Sequence, residues 1–359
     1  MKASLFLAFS VSSNKLLEKS MRFAKKSVVN LKRFKAIALA TFAVQVNAFE
    51  QIPGPKRVPL IGNRKLTALF AGEYSIDRLH ENGFYNLKTY GPLVREEVGS
   101  KRFLHVFDVH DMETVIRAES RYPYRRSHRA LLKYRREKSD LYSSGGLFPE
   151  NGEEWYRFRK LFQQTLLNQE NVNAYVEQFE SVTEQLIESI KNRRNDKLEV
   201  IDFEEDLFLW ALENIAIMSL DARLASLSNR DKVQPLVKAA HSTHDAVVKT
   251  ELSQFELWKF MATKAYRKLC KSQNVMENVI LPLFQKKVKE QSEHNCRQSI
   301  VAQFLQNRNA SEKDVFTVIM DLFLAGIDTN LSKVSNYCLP VKYTRRCLLN
   351  VSFDMCLKE

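Results

Sequence analysis

The sequence predicts a mainly α fold with a small β element near its N-terminus, an α+β chain, and three observations predict it. Beyond residue 153 apolar residues recur at spacings of three and four, the period of helices buried on one face. Upstream, LVREEVG (93–99) and RFLHVFD (102–108) flank Gly99-Ser100 and read as a single hairpin. Composition excludes the alternatives. With 45% hydrophobic residues and only 10 Gly and 9 Pro in 359, the chain is neither disordered, collagen-like nor of low complexity.

The elements follow in order. Residues 49–62 carry IPGPKRVPLIG from Ile52, where proline fixes φ and bars helix, so a stiff extended lead-in precedes the folded part. Tyr74 to Glu81 reads as a short helix closed by Asn82-Gly83, with a further break at Gly91-Pro92. After the hairpin, Asp111 is placed to cap a helix through Glu119. SSGGLFPENG (143–152) is turn-rich and leads into a helix starting near Glu153. Val172, Tyr175, Val176, Phe179, Val182, Leu186 and Ile190 form an apolar stripe. Asp202 with Glu205 has the spacing of a capping box before FEEDLFLWALENIAIMSL. Further helices are expected over Val233–Val248, Trp258–Val288 with a bend at Pro282, and Ser299–Leu305. Ser311 with Asp314 repeats the capping spacing ahead of VFTVIMDLFLAGIDT, an apolar helix expected to end at Thr329.

Charge is uneven. The chain holds 55 Lys+Arg against 42 Asp+Glu, a formal net charge of +13. Residues 1–48 hold nine basic residues and one acid, Glu18; residues 121–138, RYPYRRSHRALLKYRREK, hold eight and Glu137. These two segments leave −2 for everything else, so a nucleic-acid binder with a basic body is excluded, and no zinc-finger or helix-turn-helix pattern speaks for one. Residues 1–48 are cationic, nearly free of acids and rich in Ser, Ala, Leu and Phe, as a mitochondrial transit peptide is. Ala36 to Val46, interrupted by Thr41 and Gln45, falls short of the roughly 20 apolar residues a membrane span needs. Five Cys in such a length make no disulfide framework, which points to a reducing compartment. His241 and His244 have helical ligand spacing but no H-E-x-x-H around them, and neither G-x-S-x-G nor a Walker loop occurs.

Two stretches suggest chemistry. In GEEWYRFRKLF, Trp155 and Arg159 lie four apart on one helix face, where an indole N–H and a guanidinium fork can both donate to one carboxylate. In LFLAGIDT, Gly326 costs about 1 kcal/mol in a helix interior, so its presence suggests the close approach of another body. Asp328 and Thr329 supply a carboxylate and a hydroxyl beside it, able to relay protons.

In this order, with the proline-rich lead-in, these stretches resemble the cytochrome P-450 haem-thiolate monooxygenases, and with the presequence their mitochondrial branch. YPYRRSHRALLKYRREKSDLY with TVIMDLFLAGIDT looks close to the insect ecdysteroid 22-hydroxylases. The resemblance implies the N-terminal part, residues 63–329, of that fold. It implies haem as cofactor, a steroid and dioxygen as substrates, a ferredoxin as electron donor, and a peripheral place on the matrix side of the inner mitochondrial membrane. Trp155 and Arg159 then match the helix that binds a haem propionate. Arg126 or Arg135, from the loop before it, is expected at the second propionate. Ala325 and Gly326 match the place where the central helix passes over the haem and leaves room for dioxygen. Asp328 and Thr329 match the acid–hydroxyl pair that delivers protons for O–O cleavage.

The family's axial cysteine sits in a glycine-rich loop, yet no Gly follows Gly326, so none of Cys338, Cys347 or Cys356 completes such a loop. The later Glu-x-x-Arg pair is also missing, since Glu359 is the only Glu after Thr329. Residues 330–359 therefore read as a non-family tail, and the chain as given is expected to be inactive. The alternative is a non-catalytic helical protein that binds a sterol or a partner.

Overall fold

The computed structural model describes residues 49–56, 79–98, 101–196, 199–251, 253, 255–293, 299–338 and 346–347. The expected transit peptide over 1–48 and most of the expected tail lie outside the described residues. The chain divides into two compact units, the first ending at Arg126 and the second beginning at Ser127.

In the first unit α1 spans Leu79–Tyr90. The turn expected at Asn82-Gly83 is absent because Asn82 is buried within that helix; Gly91, at φ +97°, follows its end instead. β1 (Leu93–Val98) pairs antiparallel with β2 (Lys101–Val106), Leu93 opposite Val106, as the hairpin pattern predicts. The proline-rich lead-in lies along β1: Arg95 N–H donates to the Pro53 carbonyl at 2.9 Å, and its Nε to that of Ile52 at 2.8 Å. A side chain at Gly54 would collide with the Arg95 carbonyl, so glycine permits this approach. α2 spans Val109–Arg117, and its cap is Asp108, whose carboxylate accepts from the N–H groups of His110 and Asp111. Asp111 falls inside the first turn and cannot cap it.

The second unit is helical: α3 (Arg129–Glu137), α4 (Gly152–Leu167), α5 (Gln169–Asn173), α6 (Val176–Arg193), α7 (Phe203–Leu220), α8 (Arg230–Glu251), α9 (Lys264–Glu293), α10 (Ile300–Gln306) and α11 (Glu312–Cys338). Its only described strands, β3 (Val200–Ile201) and β4 (Arg346–Cys347), pair antiparallel. α7 is buried nearly all round, with Leu209, Leu212, Ala216 and Leu220 fully enclosed, and it packs along α11.

Four details differ from expectation. The second half of the basic segment is the helix α3 rather than loop. Asp202 stands before α7 at φ +56° and its side chain makes no capping bond; Glu205 instead accepts from Gln234. Trp258 belongs to a 3-10 turn, Leu257–Lys259, and α9 begins after it. α11 does not end at Thr329 but runs on to Cys338, because Gly326 has no positive φ and terminates nothing. The Ser311 box does form: Asp314 N–H donates to Ser311 Oγ at 3.1 Å, and Ser311 N–H to Asp314 Oδ2 at 3.0 Å.

Candidate functional site

α4 presents the Trp155–Arg159 face that its spacing predicts. Phe158 and Phe162 turn inward, fully buried and edge-on to each other at 5.1 Å, which fixes the helix against the core. Trp155 is buried to 7% exposure, and the Arg159 guanidinium carbon stands 5.1 Å over its ring. Arg159 itself is exposed and donates from Nε to Gln163 Oε1 at 3.1 Å. Stacking and hydrogen bond together hold a cation at the surface in one orientation, where it can meet an anion.

α11 is apolar and enclosed from Val315 to Leu324, with Val315, Val318, Ile319 and Phe323 fully buried. Ala325 and Gly326 interrupt it as half-buried residues before buried Ile327. A Cβ on Gly326 would stand 2.9 Å from Cδ1 and Cγ1 of Ile215, on α7. The body whose close approach this glycine permits is thus another helix of the same chain. His244 on α8 places Nε2 3.0 Å from the Leu324 carbonyl oxygen. The α11 backbone carries Asp328 and Thr329, whose side chains lie outside the described residues.

Arg135 and Asp321 form a pairing the sequence reading missed. Arg135 is completely buried; its NH1 donates to Asp321 Oδ1 at 2.7 Å and to the Gly145 carbonyl at 2.6 Å. The Leu147 N–H donates to Asp321 Oδ2 at 2.6 Å. Gly146, between them at φ +88°, has no room for a side chain: one would strike Asp321 and Arg135. Burial pushes the Asp321 carboxyl up from its ordinary range, while Arg135 and the Leu147 N–H pull it back. The signal was present: Asp321 is the one charge in VFTVIMDLFLAG, and a lone carboxylate in a buried run must have a partner.

This corrects the reading of the basic segment as a propionate-facing loop. Arg135 is taken by Asp321, Arg129 pairs with Glu251 and Glu256, and Lys133 with Glu137. Lys138 Nζ donates to Glu277 Oε2 at 2.5 Å, and the hydroxyls of Tyr134 and Tyr142 both donate to Glu277 Oε1 at 2.8 Å. Burial, beside Glu277, raises both phenols well above their ordinary range, so they remain donors. Much of this positive charge is therefore met within the fold. Arg126 is half-buried at the end of the first unit.

The family model for cytochrome P450 matches residues 52–339. Over 287 residues the chain is 33% identical to "Cytochrome P450 302a1, mitochondrial" of Drosophila melanogaster, covering 78% of this chain and 57% of that protein. It is 27% identical to the "Ecdysone 20-monooxygenase" of the same organism, over 77% of this chain and 54% of the relative. It is 28% identical to that organism's "Probable cytochrome P450 301a1, mitochondrial", over 78% and 53%. The chain spans about half the length of the curated relatives it matches.

Proposed function

Because the chain belongs to the cytochrome P450 family, in its mitochondrial branch, we propose that it carries the N-terminal helices of a haem monooxygenase that hydroxylates a steroid in ecdysteroid biosynthesis. The observation that carries this reading is the Trp155–Arg159 pair, an exposed guanidinium fixed over a buried indole. It fits a haem propionate: a planar fork donates to a carboxylate in two bonds, and the ring beneath keeps it in place. The residues fit on this side. Arg135, already bonded to Asp321, is not free for the second propionate.

When bound, haem supplies the dioxygen-activating chemistry. Ile215 of α7 fills the room that Gly326 leaves, so of the two residues half-buried Ala325 alone keeps the dioxygen role, and Asp328 and Thr329 hold and pass protons one turn on. None of Cys338, Cys347 and Cys356 supplies an axial thiolate in this reading, and the chain as given is inactive. The names of the relatives support a mitochondrial place, and membership of the mitochondrial branch supports a ferredoxin as the electron donor. No helix among the described residues is long and apolar enough to cross a membrane. Phe255, Leu257, Phe260 and Met261, exposed on the connector between α8 and α9, support peripheral contact with the inner membrane.

Titration of the recombinant chain with haemin, followed by reduction under carbon monoxide, tests the reading. The expected result is haem uptake without the absorbance band of thiolate-ligated iron; a clear band of that kind overturns the claim of inactivity. Arg159→Gln should weaken uptake by about 10-fold, the loss of one charge-assisted hydrogen bond. Unchanged uptake removes Arg159 from the propionate site.

A further inference from the structure

A groove of about 770 Å³ runs between α8 and α9, apart from the residues assigned to haem above and next to the connector assigned to membrane contact. From α8 it is lined by Asp231, Gln234, Pro235, Lys238, Ala239 and Ser242. From α9 it is lined by Lys264, Arg267, Lys268, Lys271, Ser272 and Val275. Both sets follow the same spacing, so two stripes, one from each helix, face a common space.

The charges are one-sided. Lys268 is occupied by Asp245 at 2.6 Å, a carboxylate that also takes Lys249 at 2.9 Å. Lys238, Lys264, Arg267 and Lys271 have no ion-pair partner among the described residues, and Asp231 is the single acid in the lining. Lys264, Arg267, Lys268 and Lys271 repel one another along successive turns of one helix. They also stand at the N-terminal end of α9, whose first turn holds no acid, so the helix dipole adds to their field. Elsewhere the fold answers its cations with carboxylates, as it does through α3. Here it gathers them around a concavity floored by buried Ala239 and Ser272, with Pro235 and Val275 on its walls.

We propose that this groove binds a phosphate-bearing ligand, its phosphate along Lys264, Arg267 and Lys271 of α9 and its apolar part along Pro235, Ala239 and Val275. Lysine meets a phosphate as a point charge and arginine as a fork, and the Ser242 and Ser272 hydroxyls line the same space. The site is independent of the haem reading, and its test measures anion binding rather than turnover. A phosphate group can come from a soluble ester or from a lipid headgroup, and the two arms of the test separate them.

The full chain is titrated with pyrophosphate in one arm. In the other it is titrated with phosphatidylcholine vesicles with and without phosphatidylglycerol. Binding in either arm is expected to weaken with added salt, and by roughly 25-fold in the double variant K264Q/K271Q, about 5-fold per lysine. K286Q removes one charge from α9 outside the groove, where Lys286 is 73% exposed, and should leave binding unchanged. Pyrophosphate binding lost in K264Q/K271Q supports a soluble ligand; binding confined to phosphatidylglycerol vesicles and lost likewise supports a headgroup. No binding in either arm overturns the proposal. So does a loss per charge removed that is as large in K286Q as in K264Q/K271Q, which would mean diffuse surface charge.

Discussion

Arg135 and Asp321 bury opposite charges against each other inside the second unit, with side-chain exposures of 0% and 2%. Taking two charges out of water costs several kcal/mol each, and mutual attraction offsets this only while both partners and their further hydrogen bonds are present. Arg135→Met alone should therefore destabilise the protein by about 3–5 kcal/mol, because Asp321 is left buried without its cation. The double variant R135M/D321L should recover most of that loss. Denaturant midpoints of the single and double variants measure this, and equal losses in the two would mean that Arg135 matters for packing alone. That Asp321 needs a partner is readable from its apolar surroundings. Which of eight basic residues answers it is not, because RYPYRRSHRALLKYRREK offers near-identical side chains and only the turn at Gly145–Leu147 selects one.

At the scale of the element, α11 shows how far periodicity carries. Its apolar run and its Ser311–Asp314 start were legible, since both are local patterns. Its continuation past Thr329 was not: glycine in a helix costs stability in isolation, and only the contact with α7 explains Gly326. Asp202 illustrates the converse, a correct spacing undone by a left-handed backbone. Gly326→Ala should gain about 1 kcal/mol of helix propensity and lose about 1–3 kcal/mol to overpacking against Ile215. Net destabilisation is expected in the native background. In an Ile215→Ala background, which clears the nearest atoms, the same substitution should become neutral or stabilising. A thermal-unfolding cycle over the four proteins checks the change of sign.

For the molecule as a whole, acid is the revealing perturbation. Asp314 joins the start of α11 to α4 and to the turn before it: Ser143 Oγ donates at 2.7 Å and Arg157 at 2.9 Å, alongside the Ser311 bonds. Burial alone would raise its carboxyl, yet the hydrogen bonds from Arg157, Ser143 and Ser311 hold it below the ordinary range. A depressed carboxylate stabilises the fold above its unfolded pKa, about 4, and that stability is lost as pH falls through the folded value. Asp314→Asn should cost roughly 1–3 kcal/mol near neutrality and flatten the fall in stability below about pH 4. Glu154, which Arg157 also holds low, is half-exposed and should contribute less. Urea unfolding at neutral and acidic pH distinguishes the two; an unaltered acid limb in Asp314→Asn would assign that limb to other carboxylates. The helical class and the order of elements were legible in the chain, because each helix announces its own buried face. The joints between helices were not, since Asp314, Glu277 and Asp321 act across long stretches of sequence.

The Arg135–Asp321 bond also sets a schedule for synthesis. Its partners are 186 residues apart, and the carboxylate comes second. At 5–20 residues per second, Arg135 leaves the ribosome roughly 10–40 s before the carboxylate it pairs with in the finished core. During that wait the Gly145–Leu147 turn lacks the carboxylate that Arg135 and the Leu147 N–H both bind, so this joint is completed only once α11 has been made. Asp321 is the residue whose arrival ends that interval.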